Sequence, residues 1–274
     1  MKHLRALLAL AVTVSLLAVL WSRLDTRALG EALSEARPGW LALAVALGPL
    51  QVVLGAERWR LASERVGAPV ERFEAWREYA LSTFVNQVLP SGVAGDAARM
   101  ARQRHHGWKP ALLAGLVDRG VGQALLVAVT ALGLVFWSER PAGSLVAALV
   151  LLGLFACALA LAPVRQALAG AWLKNAGLSG ALVVTFLGGF AFCGLALGRT
   201  PELWLPVAIP LVLLAMAIPL SLGGWGLREA SAAALLPGFG FTAEEAVALA
   251  GCYGVTVLVG SLPGACVPLW SGRA

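Results

Sequence analysis

Long apolar stretches separated by short polar ones dominate this sequence. A helix needs roughly 20 apolar residues to cross a hydrocarbon core of about 30 Å, and about seven stretches approach or exceed that length. These stretches are residues 4–21, 39–56, 111–137, 144–162, 177–198, 203–222 and 246–270. The pattern predicts an all-α integral membrane protein, with about seven transmembrane helices in a single polytopic domain over residues 1–274.

Composition agrees with this class and leaves little of the chain outside the apolar stretches. Of the 274 residues, 59% are hydrophobic and 13% are charged, whereas soluble domains average about 25% charged residues. The longest polar stretch, 57–78, cannot bury a core of its own, so no appended catalytic domain is expected. The four cysteines lie far apart with no CxxC spacing, which predicts neither a metal site nor a disulfide framework.

Basic residues in the short polar segments predict the orientation of the chain. Lys2 and Arg5 lie at the start of the first apolar stretch, and a cluster that begins with Arg58 follows the second. Because short cytoplasmic loops carry an excess of Lys and Arg, both segments and the N-terminus are expected in the cytoplasm. The formal net charge of +6 is spread over several loops, which indicates contact with anionic lipid rather than with nucleic acid.

A polar segment interrupts the apolar pattern at residues 86–100, NQVLPSGVAGDAARM. The apolar residues before it, 79–89, are too few to cross a membrane. Pro90, Gly92 and Gly95 are expected to end one helix. Asp96 is then placed to cap the N-terminus of the next helix. The segment therefore predicts a helix, a break and a second helix.

A similar interruption occurs in the other half of the chain. There the sequence reads IPLSLGGWGLREA, in which Pro219, Gly223 and Gly224 are expected to break a helix. Both interruptions share the spacing Pro-x4-Gly-x3-Arg, which ends at Arg99 in the first and at Arg228 in the second. Such segments in corresponding halves are typical of broken or re-entrant helices around a central transporter site. Irregular backbone at membrane depth needs protein or water around it, so the pattern predicts a polar cavity.

Two charges lie inside the third apolar stretch. Asp118 and Arg119 would cost from about 3 to more than 10 kcal/mol at mid-membrane. Either they reach water from the end of a tilted helix, or they join Arg99 and Arg228 in an internal polar cluster. Guanidinium groups match phosphate oxygens bidentately, so the second interpretation predicts a cavity for a phosphate-bearing lipid headgroup, with a soluble anion as an alternative. The candidate substrate-binding residues are Asn86, Ser91, Asp96, Arg99, Asp118, Arg119, Ser221, Arg228 and Glu229.

Three segments of the chain resemble the signature blocks of a known family. They are N-x-x-LPSGVAGDAAR from Asn86, VDRG from Val117, and IPLSLGGWGLREA from Ile218. In this order they are similar to the flippase-like, lysylphosphatidylglycerol synthase transmembrane family, with Ala94 and Asp118 where the family has Gly and Glu. The resemblance implies movement of a modified lipid between leaflets, or a link to polyprenyl-phosphate sugar pathways. It does not imply lysyl transfer, because the aminoacyl-transfer domain of the bifunctional members has no counterpart in this sequence.

The favoured hypothesis is a lipid translocase, or flippase, of a bacterial inner membrane. Its substrate would be a phospholipid or a polyprenyl-phosphate lipid, and its phosphate would be received by Arg99, Arg119 and Arg228. No catalytic residue, metal ligand or cofactor is predicted, and an oligomer is compatible with the sequence. Two alternatives stay open, namely an integral-membrane enzyme that acts on lipid phosphate and a non-transporting membrane scaffold.

Overall fold

The structure, a computed structural model, describes residues 25–89, 93–136, 168–216, 221 and 223–267, with scattered positions between 11 and 22 and between 146 and 165. Within these residues every regular element is helical, which confirms the all-α class. The helices are α1 Thr26–Ser34, α2 Pro38–Arg65, α3 Arg72–Val88, α4 Ala94–Arg102, α5 Trp108–Phe136, α6 Trp172–Ala196, α7 Trp204–Met216, α8 Leu227–Leu235 and α9 Ala243–Ser261. Short 3-10 turns, Gln103–His106, Leu236–Phe239 and Leu262–Cys266, follow α4, α8 and α9.

Four of these helices are long and apolar enough to cross a membrane. They are α2, α5, α6 and α9 with the turn that extends it to Cys266. Of the stretch 203–222 the structure describes the apolar helix α7, which covers 13 residues, whereas residues 217–220 and 222 lie outside the described residues. The stretches 4–21 and 144–162 lie largely outside the described residues. The protein is thus a multi-pass membrane protein, and the count of seven spans stays a prediction.

Helices α3 and α4 form a hairpin of two short helices. Arg102 Nε donates to Glu78 Oε2 at 2.6 Å, and Ser82 Oγ donates to Asp96 Oδ1 at 3.0 Å. These partners run in opposite directions along the two helices, so the helices are antiparallel. Pro90, Ser91 and Gly92, the predicted break and candidate residues between them, lie outside the described residues. The helix–break–helix reading agrees with the two helices on either side.

The start of α4 differs from the prediction. The helix begins at Ala94 rather than after Asp96, and Val93 occupies the capping position. Asp96 lies inside the first turn, where its carboxylate is turned toward other side chains instead of capping the helix. At the same end, the backbone N–H of Gly95 donates to Asn86 Oδ1 at 2.8 Å. Asn86 therefore satisfies one of the free donors that every helix N-terminus leaves.

The second interruption also joins two short helices, α7 and α8, which pack together. Gly223 and Gly224 have φ of +51° and +84°, in the left-handed region that favours glycine. Pro219 lies outside the described residues. A Cβ on Gly223 would lie 2.7 Å from the backbone oxygen of Gln87, at the end of α3. The segment between α7 and α8 therefore contacts the C-terminal end of α3.

Helix α2 lies at the centre of the arrangement, because it packs against α3, α5, α6 and α9. Its backbone approaches α9 so closely that a Cβ on Gly48 would lie 2.8 Å from Gly260 Cα. An apolar core, in which Phe190 stacks on Tyr253 at 3.8 Å between ring centroids, joins α6 to α9. Buried ion pairs of Asp118 with Arg58 and Arg99 join α5 to α2 and α4.

We expect Gly95→Ala to destabilise the first hairpin. A Cβ at this position would overlap the backbone oxygen of Ser82, and such overpacking costs about 1–3 kcal/mol. The midpoint of thermal unfolding of the detergent-purified protein, followed by size-exclusion chromatography after heating, should therefore fall. Gly251→Ala is the matched control, because a Cβ at Gly251 in α9 meets no atom within 4 Å. Equal midpoints for the two variants would contradict the close approach of α3 and α4.

Candidate functional site

Five charged side chains from three helices meet on one side of α2. Arg58 comes from α2, Asp96 and Arg99 from α4, and Asp118 and Arg119 from α5. We call this set the charge cluster. Its paired members Arg58 and Asp118 are 60 positions apart in the chain, so only the packing of the helices brings them together.

Asp118 bridges two buried guanidinium groups. Arg58 Nε donates to Oδ1 of Asp118 at 2.8 Å, and Arg99 Nη2 donates to Oδ2 at 3.0 Å. Asp118 and Arg99 are each only 2% exposed. A carboxylate this buried agrees with the internal-cluster interpretation and not with a helix end that extends into bulk solvent. Each carboxylate oxygen of Asp118 is thus paired with a different helix.

Asp96 forms the second carboxylate centre of the cluster. Its Oδ1 accepts from Ser82 Oγ and, at 3.3 Å, from Arg99 Nη2, while its Oδ2 accepts from Arg119 Nη1. Arg119 is the most exposed member of the cluster, with 37% of its side chain accessible. The two carboxylates are therefore linked through Arg99, and Arg119 lies at the open end of the network.

Arg99 is held between two aromatic rings. Its guanidinium carbon lies 4.3 Å from the ring centroid of Trp59 and 4.6 Å from that of Tyr79. The negative faces of aromatic rings attract a cation, more strongly where water is excluded. Among the described residues, Arg99 Nε and Nη1 have no hydrogen-bond partner. The rings therefore stabilise a charge whose hydrogen-bonding capacity is only partly used.

The charge cluster carries an excess of positive charge. It contains three guanidinium groups and two carboxylates, so one positive charge has no counter-charge within the cluster. Charges buried in an apolar surrounding are tolerated when they are paired and hydrogen-bonded. An anion beside the cluster would supply the missing negative charge.

A cavity of about 290 Å³ lies directly beside the charge cluster. Arg58, Asp96, Asp118 and Arg119 form part of its wall, together with Asn86 and with Gly223 and Gly224 of the second interruption. Most polar lining side chains come from α2 to α5, whereas α6, α7 and α9 contribute mainly apolar ones such as Leu182, Phe186, Leu213 and Val257. The cavity is therefore polar on one side and apolar on the other.

The candidate residues of the second interruption form a separate ion pair. Arg228 Nη2 donates to Glu229 Oε1 at 2.6 Å, and Glu229 Oε2 accepts from the backbone N–H of Gly226 at 2.6 Å. Arg228 is fully buried and lies over the ring of Trp225. Neither partner lines the cavity, and neither do Arg99 and Ser221. The structure thus brings Arg99 and Arg119 together through Asp96 and places Arg228 apart from them.

Sequence reasoning assigned Arg58 to a cytoplasmic loop, and this assignment is wrong. Helix α2 continues to Arg65, so Arg58 lies inside it, is buried, and pairs with Asp118. The signal was present in the chain, since Gln51 and Arg58 are two helical turns apart and both line the cavity. Gln87, Gln123 and Ser179 were also missed, because a lone uncharged polar residue carries little signal.

These features define a multi-pass helical membrane protein with a charged cavity between its helices. A family model described as the lysylphosphatidylglycerol synthase TM region matches residues 6–176. The chain therefore belongs to this family of membrane regions, whose name ties it to lipid handling. No curated protein and no solved structure matches the chain. The whole charge cluster lies within the matched residues, whereas Arg228 and Glu229 lie beyond them.

We expect Asp118→Asn to destabilise the protein strongly. The change keeps the shape of the side chain but leaves Arg58 and Arg99 buried without its negative charge, and loss of one partner of a buried ion pair costs about 3–5 kcal/mol. The midpoint of thermal unfolding in detergent measures the effect. Glu31→Gln is the control, because Glu31 and its partner Arg27 are exposed and surface pairs contribute little. A midpoint for Asp118→Asn as high as that of the control would contradict the bridging role of Asp118.

Proposed function

We propose that this protein is a lipid translocase, or flippase, of a bacterial inner membrane. It would act as one polytopic domain over residues 1–274 with its N-terminus in the cytoplasm, and it would move a phosphate-bearing lipid rather than transform it. The observation that carries the proposal is the excess positive charge of the charge cluster beside a cavity with one polar and one apolar wall.

Arg119 is the residue best placed to receive the phosphate. It lines the cavity, it is partly exposed, and among the described residues its one ion pair is with Asp96. A guanidinium group has five N–H donors, so Arg119 can bind a phosphate while it still contacts the carboxylate. Arg58 lines the same wall but is held by Asp118. Arg99 lies behind that wall and adds long-range positive charge rather than a direct contact.

The division of the cavity wall fits the amphiphilic nature of a lipid. The headgroup would contact the wall formed by α2 to α5, and the acyl or prenyl chains would leave along the apolar side chains of α6, α7 and α9. Chains that remain in hydrocarbon cost nothing to desolvate, so the protein needs to lower only the cost of moving the headgroup. The free-energy cost of moving an anionic headgroup across the bilayer is smaller beside fixed guanidinium groups than in lipid without protein.

We expect Arg119→Gln to slow lipid movement strongly. A hydrogen bond to a charged group contributes about 1.5–3 kcal/mol, so the rate should fall by roughly 10- to 100-fold if the contact is made at the barrier. Proteoliposomes that contain fluorescent phosphatidylglycerol report the rate, because dithionite quenches only the lipid in the outer leaflet.

Arg199→Gln is the matched control for this experiment. The side chain of Arg199 is 35% exposed and pairs with Glu245, so it resembles Arg119 in exposure and pairing, but it lies outside the cavity. Similar rates for the two variants, when both elute as folded protein, would overturn the proposal. Release of a headgroup or phosphate into solution would instead indicate an enzyme that acts on lipid phosphate.

A further inference from the structure

The hydroxyl group of Ser82 has a different kind of partner from other helical hydroxyls of this protein. A serine or threonine within a helix often donates to the carbonyl oxygen four residues earlier, as Thr83, Thr130 and Ser231 do here. Ser82 Oγ instead donates to a side chain of the next helix, Asp96 Oδ1, at 3.0 Å. Ser82 is only 2% exposed. Its hydroxyl group therefore acts on a carboxylate of the charge cluster rather than on its own helix.

The position of this hydroxyl relative to α4 is fixed by the close approach of α3 and α4. A Cβ on Gly95 would lie 2.1 Å from the backbone oxygen of Ser82, so the two backbones leave no room for a methyl group beside Asp96. One turn further along α3, Asn86 Oδ1 accepts from the backbone N–H of Gly95 at 2.8 Å. The start of α4 is thus held at two points of α3, and Ser82 has little room to shift toward it.

Asp96 is shared between two guanidinium groups. Its Oδ1 accepts from Arg99 Nη2 at 3.3 Å, which is longer than its bond from Ser82, and its Oδ2 accepts from Arg119 Nη1. The contact with Arg119 therefore uses one carboxylate oxygen. A carboxylate and a guanidinium group often pair bidentately, through two parallel N–H···O bonds. Because the hydroxyl of Ser82 engages Oδ1, it opposes such a bidentate pair between Asp96 and Arg119.

The way in which Asp96 holds Arg119 decides how many donors remain for a ligand. A guanidinium group has five N–H donors, and two on the same edge match two phosphate oxygens. Arg119 lines the cavity, and 37% of its side chain is exposed. A bidentate pair with Asp96 would occupy one whole edge and draw the guanidinium group toward the wall. A single contact leaves more donors directed at the cavity.

We propose that Ser82 is a positioning residue for the phosphate site, because its hydroxyl holds one oxygen of Asp96 away from Arg119 and so keeps donors of Arg119 available. This inference rests on the proposed function, from which it takes Arg119 as the residue that receives the lipid phosphate. Ser82 does not line the cavity and does not touch the lipid. It acts on Arg119 through Asp96.

A double-mutant cycle of Ser82→Ala and Arg119→Gln tests the inference, because such a cycle separates a positioning effect from an independent one. In proteoliposomes with fluorescent phosphatidylglycerol, Ser82→Ala alone should slow lipid movement by roughly three- to tenfold, since one hydrogen bond to a charged group is lost. In the Arg119→Gln background the same change should alter the rate by less than about twofold, because the side chain that Ser82 positions is no longer present.

Ser231→Ala is the matched control for the cycle. It also removes a hydroxyl from a partly buried helical serine, whose Oγ donates to the carbonyl oxygen of Leu227 in α8, and Ser231 does not line the cavity. The rate should be unchanged by this variant in both backgrounds. The midpoint of thermal unfolding in detergent, measured for every variant, shows whether a slower rate reflects a loss of folded protein.

Two results of the transport cycle would overturn the inference. They are a rate for Ser82→Ala equal to that of Ser231→Ala, and a fall of equal size with and without Arg119, which would make Ser82 a purely structural residue. Either result leaves the flippase proposal standing, because that proposal depends on the wild type and on Arg119→Gln.

A wild type that moves no lipid would instead remove the flippase proposal. The same cycle is then measured as binding of phosphatidylglycerol to the detergent-purified full chain, by native mass spectrometry. A loss of binding on Ser82→Ala that disappears in the Arg119→Gln background would support the positioning role. Additive losses, or no binding by the wild type, would overturn it.

Discussion

The structure depends on one carboxylate between two buried guanidinium groups. Asp118 on α5 pairs with Arg58 of α2 and with Arg99 of α4, and loss of its charge would leave two buried guanidinium groups with one fewer counter-charge between them. This pairing fixes α2 and α4 against α5. It also directs Arg119, the next residue on α5, toward Asp96 and the cavity. A constraint on folding thereby also positions the side chain that we propose to bind the lipid phosphate.

The two halves of the protein contribute different properties to the cavity. The charge cluster belongs to α2, α4 and α5, which lie within the family match, whereas α7 and α9 lie beyond it. The later helices provide most of the apolar wall and the enclosed Arg228–Glu229 pair. The Arg228–Glu229 pair is neutral overall, and Glu229 accepts a hydrogen bond from the backbone N–H of Gly226 at the start of α8. Its present geometry makes it part of the scaffold beside the cavity.

The sequence was most informative where a residue contradicts its surroundings. Asp118 and Arg119 stand out in an apolar stretch, and prolines and glycines mark the interruptions, so the cluster on α4 and α5 and the helix–break–helix pattern could be predicted. Arg58 could not, because it follows an apolar stretch and looks like an ordinary loop charge until α2 is seen to continue to Arg65. The shift in the start of α4 depends on Val93, whose capping position no side-chain pattern reveals. Pairing between distant residues such as Arg58 and Asp118 follows from helix packing alone.

The approach of Gly223 to Gln87 has a mechanical consequence. The backbone at this point leaves no room for a methyl group between the two interruptions. A displacement of the segment between α7 and α8 toward Gln87 must therefore also displace the end of α3. Along this direction the two segments cannot move independently. Because Gln87 also lines the cavity, any such concerted displacement changes the shape of the compartment at the same time.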